Sequence, residues 1–159
     1  MPRSNSGALE VTTPTHAFVI TTYAMLTILG VQHLIDVAIH TALENQYGLV
    51  VTDLWSMFHI LGGGLALVGA LATRRERVPI TGPRIEWVGV ALIALTMGIY
   101  GRSLLVEYGW TGSATTQTLA WSMAIGAAAR MVQIWREQRR LARALAHPAT
   151  VEVAKEPRR

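Results

Sequence analysis

Residues 49–77 read LVVTDLWSMFHILGGGLALVGALATRRER, and this stretch decides the fold. From 49 to 73 its one formal charge is Asp53, and it then breaks into Arg74, Arg75 and Arg77. A helix rises ~1.5 Å per residue, so about 20 apolar residues cross the ~30 Å hydrocarbon core of a bilayer. The stretch is long enough to do so, and its arginines mark the end that stays on the side of synthesis.

Outward from it lie three more apolar segments, at 17–43, 85–106 and 115–135. The chain is therefore predicted to be an all-α polytopic membrane protein with four transmembrane helices arranged as two antiparallel hairpins. Thr13 with Pro14, and Gly82 with Pro83, read as helix starts with proline at the first helical position. Gly48 and the glycines of 109–112 punctuate the two outer turns, which are only a few residues long and so join antiparallel neighbours.

Composition agrees. The 159 residues are 51% hydrophobic and 15% charged, with a mean hydropathy of +0.33. A pI near 10.1 reflects where the arginines stand and implies no nucleic-acid partner. The absence of cysteine excludes disulfides, thiolate metal sites and cysteine nucleophiles. No Walker A loop, dinucleotide-binding glycine pattern, HExxH or nucleophile elbow is present, and no enzymatic activity is expected.

Arg74, Arg75, Arg77 and Arg84 fill the middle connection, and Arg136, Arg139, Arg140 and Arg143 follow the last segment, whereas 44–52 and 107–113 contain no Lys or Arg. Basic loops stay inside, which predicts the cytoplasmic (inner) membrane with both termini cytoplasmic and these arginines anchoring the inner leaflet. Tyr47, Trp55, Tyr108 and Trp110 fall near the outer interface, Trp87 and Trp135 near the inner one. The first segment is read as a retained span, because it is long for a signal peptide and contains Gln32, His33, Asp36 and His40. Residues 1–14 and 147–159 are expected to be disordered, and 136–146 to extend the last helix as a basic amphipathic segment at the inner surface.

Small residues at four-residue spacing supply close contacts between membrane helices. Gly62, Ala66 and Ala70 form such a row in the second span, Ala94 and Gly98 in the third, and Ala120, Ala124 and Ala128 in the fourth. They serve packing within the chain, with homo-oligomerisation as the alternative.

Polar residues inside the spans form the candidate site. His33, Asp36 and His40 share one face of the first helix, His59 lies on the small-residue side of the second, and Arg102 and Gln117 lie on the packing faces of the third and fourth. With Asp53 they make a cluster in the outer half of the bundle, where Asp36 and Arg102 can neutralise one another and Asp53 can favour a helix start. His33 and His59 fall at matched depth. They can hold a metal, supply both axial ligands to a haem, or join the acidic groups in a proton or ion path. Outside those readings no cofactor is expected.

The four-pass hairpin layout, the Gly/Ala-rich spans, the Arg74-Arg75-Glu76-Arg77 turn and the basic stretch from Arg136 to Arg143 resemble the small membrane proteins of actinobacterial phages, some of which are holins. The resemblance implies a protein that accumulates in the host membrane, oligomerises and opens lesions. The intramembrane His/Asp/Arg cluster departs from a simple holin. Two alternatives accompany it: a phage defence or exclusion protein acting with a cytoplasmic partner through the basic tail, and a haem- or metal-binding or proton-conducting protein.

Overall fold

The computed structural model describes residues 17–35, 41–75, 81–112 and 114–146, and all of them but Gly48 lie in helices. The helices are α1 (Ala17–Ile35), α2 (Thr41–Tyr47), α3 (Leu49–Arg75), α4 (Thr81–Gly112) and α5 (Ala114–Ala146). Three of them are long and apolar enough to cross a membrane, over Ala17–Ile35, Leu49–Thr73 and Thr81–Trp110. Four were expected. The exception is α5, which is 33 residues long but carries Thr115, Thr116, Gln117, Thr118, Ser122, Arg130 and Gln133.

The expected 17–43 span is also redrawn, as α1 and the separate short α2, with 36–40 outside the described residues. The segments at 1–14 and 147–159 likewise lie outside them. Ala42 and Leu43 of α2 are buried, and Gln46 Nε2 donates to the Ser103 carbonyl at 2.8 Å, fastening α2 over the N-terminal end of α3 and the C-terminal part of α4. Gly48 makes the turn into α3 with φ +80, a left-handed value that glycine adopts without steric cost. Gly109, at φ 64 and ψ −169, marks a kink near the end of α4 in a region that is essentially glycine's alone.

Packing runs in sequence, α1 on α3, α3 on α4 and α4 on α5, each pair antiparallel. Small residues set the closest approaches. A Cβ on Gly89 would strike the Ala66 backbone, one on Gly69 would strike the Glu86 backbone, and one on Gly63 would lie 2.5 Å from Thr27 Oγ1. Gly62, Ala66 and Ala70 are buried at these contacts, as are Ala120 and Ala124 on α5. Two residues of the expected rows differ. Gly98 faces open space and Ala128 is exposed, while Ala127 and Met131 pack on the core instead. The registers explain this: α4 presents Gly82, Gly89 and Ile93 to α3, so the face carrying Gly98 turns away.

The core comprises Tyr23, Leu26, Ala66, Ala70, Val90, Ile93, Met97 and Ala124. Outside it, Phe18, Ile35, Val50, Leu95, Val106 and Ile125 are all more than half exposed. Such continuous apolar surface suits lipid as the surrounding solvent, since aqueous monomers seldom present it.

Candidate functional site

Two polar layers lie inside the helix assembly. The inner one is centred on Glu86, five residues into α4 and only 2% exposed. Tyr23 Oη donates to Glu86 Oε1 at 3.0 Å, and Arg130 Nε and Nη2 each approach the same oxygen at 2.9 Å. The three side chains come from α1, α4 and α5, so one carboxylate ties together helices that are not all neighbours. Gly69 makes room by bringing the α3 backbone against α4 at Glu86. Arg130 precedes Arg136 by six residues, which sets the layer ~9 Å inside the arginine border of α5.

The outer layer is centred on Trp55. Its Nε1 donates to the Thr96 carbonyl at 2.7 Å. The indole stacks on His59 with centroids 5.1 Å apart, meets the edge of His33 at 5.3 Å and leans on Tyr100 at 5.4 Å. Thr96 Oγ1 lies within donating distance of the Leu92 and Ile93 carbonyls at 2.9 and 3.1 Å. A hydroxyl so engaged accepts from His59 Nδ1 at 3.2 Å, which makes Nδ1 a protonated nitrogen of the ring. His59 Nε2 is fully buried, with no hydrogen-bond partner among the described residues.

His33 and His59 therefore meet at one site, through Trp55. Asp36 and His40 lie outside the described residues, and Arg77 does too. Arg102 is exposed and donates through Nη1 to Tyr47 Oη at 2.8 Å, tying α4 to α2. Asp53 is exposed near the start of α3. Gln117 is buried and donates through Nε2 to the carbonyls of Leu104 and Gly109, clasping the α4–α5 turn. Arg84, Arg136, Arg139, Arg140 and Arg143 are exposed, and the Arg139 guanidinium lies 3.8 Å above the Trp135 ring. Trp55, expected at the outer interface with Tyr47, Tyr108 and Trp110, is instead buried at 4% exposure. Its indole N–H reaches a carbonyl inside the protein and has no need of the headgroup layer.

The outer layer fits a porphyrin poorly, because the indole occupies the space beside both imidazoles and α1 closes on α3 at Gly30 and Gly63. Among the described residues no group of three His, Asp or Glu side chains assembles that could hold a metal ion.

Tyr23, Glu86 and Arg130 were not singled out in the sequence. The signal was present: an acid and a base on neighbouring antiparallel helices, each within about two turns of the arginine-rich border, can pair at matched depth.

No protein-family model matches the chain, and neither a curated protein nor a solved structure matches it.

Proposed function

We propose that this is a small, holin-like membrane protein that assembles into pores, with α5 crossing the bilayer as a fourth span and lining the assembly. The observation that carries the reading is the outward face of α5. Ala114, Thr118, Ser122 and Gly126 recur every four residues, with Thr115 and Ala129 beside them, and all are exposed. No atom of another helix approaches Gly126. The helix runs antiparallel along α4 from the contacts of Gln117 with Leu104 to that of Arg130 with Glu86, so it traverses much of the thickness α4 does.

The Thr118 hydroxyl donates back to the Ala114 carbonyl at 2.7 Å, so what distinguishes this face is small side chains at four-residue spacing with hydroxyl oxygens among them. Such a face suits close packing against the same face of other copies, or the wall of a lumen between copies. This reading places the 76–80 connection and both termini in the cytoplasm and the protein in a cytoplasmic membrane, with lipid and further copies of the chain as its partners.

The test is induced expression in bacterial cells carrying a potential-sensitive dye. Abrupt depolarisation at a defined time after induction is expected, and a Thr118→Leu/Ser122→Leu variant should accumulate in the membrane without it. High-level accumulation of the native chain in fully polarised cells would defeat the reading.

A further inference from the structure

The stripe of α5 that carries Thr118 and Ser122 does not stop where the apolar part of the helix ends. Arg136 follows Thr118, and Arg140 follows Ser122, by 18 residues, about five helical turns, and Arg143 follows Thr118 by 25 residues, about seven turns. Each arginine therefore stands along the helix from a hydroxyl, and all five side chains are exposed. Ala120, Ala124 and Ile134 form the opposite, buried side. The charge of the stripe has one sign. Of the other arginines of α5, Arg130 is turned to Glu86, and Arg139 lies 3.8 Å over the Trp135 ring at the edge of the stripe. Glu137 is the only acid of the helix; it is half-buried and about 100° round from Arg136. The 147–159 segment has three basic and two acidic residues in its sequence, so it does not reverse the balance.

We infer that the pore passes anions in preference to cations, selected by Arg136, Arg140 and Arg143 of each copy, which form a basic ring at its cytoplasmic mouth. The inference rests on the pore reading above and adds to it the sign of the permeant ion. From Ala114 to Gln133 the exposed residues of α5 carry no charge, so the bore itself does not discriminate by sign. The decision falls to the ring, and rings of arginine or lysine select anions. A potential of about one kT, the low end of what a charged cleft develops, raises anions and lowers cations by ~2.7-fold each, about sevenfold in their ratio. Screening sets the reach of that potential: it is ~10–30 Å between about 0.1 and 0.01 M salt, wide enough to cover a mouth, and only ~3 Å at about 1 M.

The test is the reversal potential of the full-length protein in planar phosphatidylcholine bilayers, with KCl at about 0.1 M on one side and about 0.01 M on the other. Its sign should be that of chloride permeation, with a chloride-to-potassium ratio of about sevenfold that falls toward one when both solutions are raised about tenfold. Replacing Arg136, Arg140 and Arg143 together by Gln should remove the preference and keep the conductance, whereas Arg139→Gln should leave the preference unchanged. Because basic residues also orient a chain as it inserts, a second variant acts after assembly. The chain has no cysteine, so Arg140→Cys offers a single thiol, and its reaction in open pores with a sulfonate-bearing methanethiosulfonate should lower the chloride-to-potassium ratio. Cation preference or no preference in the native chain overturns the inference and leaves the pore standing. A preference moved neither by the triple glutamine variant nor by thiol modification overturns it as well, since other residues would then set the sign. Protein that inserts and carries no current defeats the pore reading itself, and the inference with it.

Discussion

Removing one partner of the Glu86–Arg130 pair should cost far more than removing both, and the structure sets the asymmetry. The Glu86 side chain is 3% exposed and that of Arg130 24%. Arg130→Met strands a carboxylate that has no route to water and keeps only the Tyr23 hydroxyl. A broken buried pair costs about 3–5 kcal/mol, and the upper part of that range applies here. Glu86→Gln strands an arginine that is partly exposed and long enough to reach toward the interface, so its cost falls to about 1–3 kcal/mol, that of charged hydrogen bonds lost. The double variant Glu86→Gln/Arg130→Met leaves neither charge and should recover most of the loss, giving a coupling of about 2 kcal/mol or more. The assay is reversible unfolding of the purified protein in mixed micelles, followed by circular dichroism, with the four chains of the cycle compared under one condition. Additive single costs, with coupling below about 0.5 kcal/mol, would show that the carboxylate and guanidinium do not meet in the membrane.

Further outcomes follow from the same geometry. Gly89→Val forces a side chain into the Ala66 backbone and should destabilise the α3–α4 hairpin by on the order of 3 kcal/mol, whereas Gly98→Val, facing open space, should leave unfolding midpoints nearly unchanged. Trp55→Ala empties the centre of the outer layer and should cost about 3–5 kcal/mol; Trp55→Phe, which keeps most of the ring volume and removes the donor to Thr96, should cost about 1–2 kcal/mol in the same assay. Reporter fusions at 76–80 and after 146 should both be cytoplasmic if α5 crosses the bilayer, and a C-terminal reporter on the opposite side would leave α5 out of the span count.

The apolar stretches were legible because the bilayer imposes one length on every crossing, and α3 and α4 follow that rule over 49–73 and 81–110. α5 escapes the rule, since its exposed side mixes Leu119, Ile125 and Val132 with a stripe of Thr118, Ser122 and Gly126, which lowers its average hydropathy. An average cannot separate the two. The meeting of His33 and His59 followed from helix periodicity and turn length, both local properties. That Trp55 would occupy the space beside both rings depended on the rotation of α3 between α1 and α4, which is set by the glycines at 62, 63, 69 and 89 acting together. The Glu86–Arg130 pair joins residues 44 positions apart. Its logic was electrostatic and readable, but charges near the end of a span look like loop charges until the helix boundaries are fixed.

The two polar layers also bear on conduction. Thr96 stands ten residues beyond Glu86 on α4, so ~15 Å of helix separates the His59 site from the carboxylate. Between them the core is Leu26, Ala66, Val90 and Ile93, whose side chains offer neither donors nor acceptors. Proton transfer needs groups in hydrogen-bond reach or a water chain linking them, and in this belt the Thr27 hydroxyl, beside Gly63, is already donated to the Tyr23 carbonyl at 2.9 Å. A path through one copy of the chain would have to break the close α3–α4 contact at Gly62, Ala66 and Gly89. The hydroxyls of α5 meet no such obstacle, for Thr115, Thr118 and Ser122 already line an outer face. If the proposed pores form, permeation between copies is the route that leaves the folded chain intact, and Ile93→Ser, which puts a hydroxyl into the belt, should then leave the ion flux in liposomes unchanged.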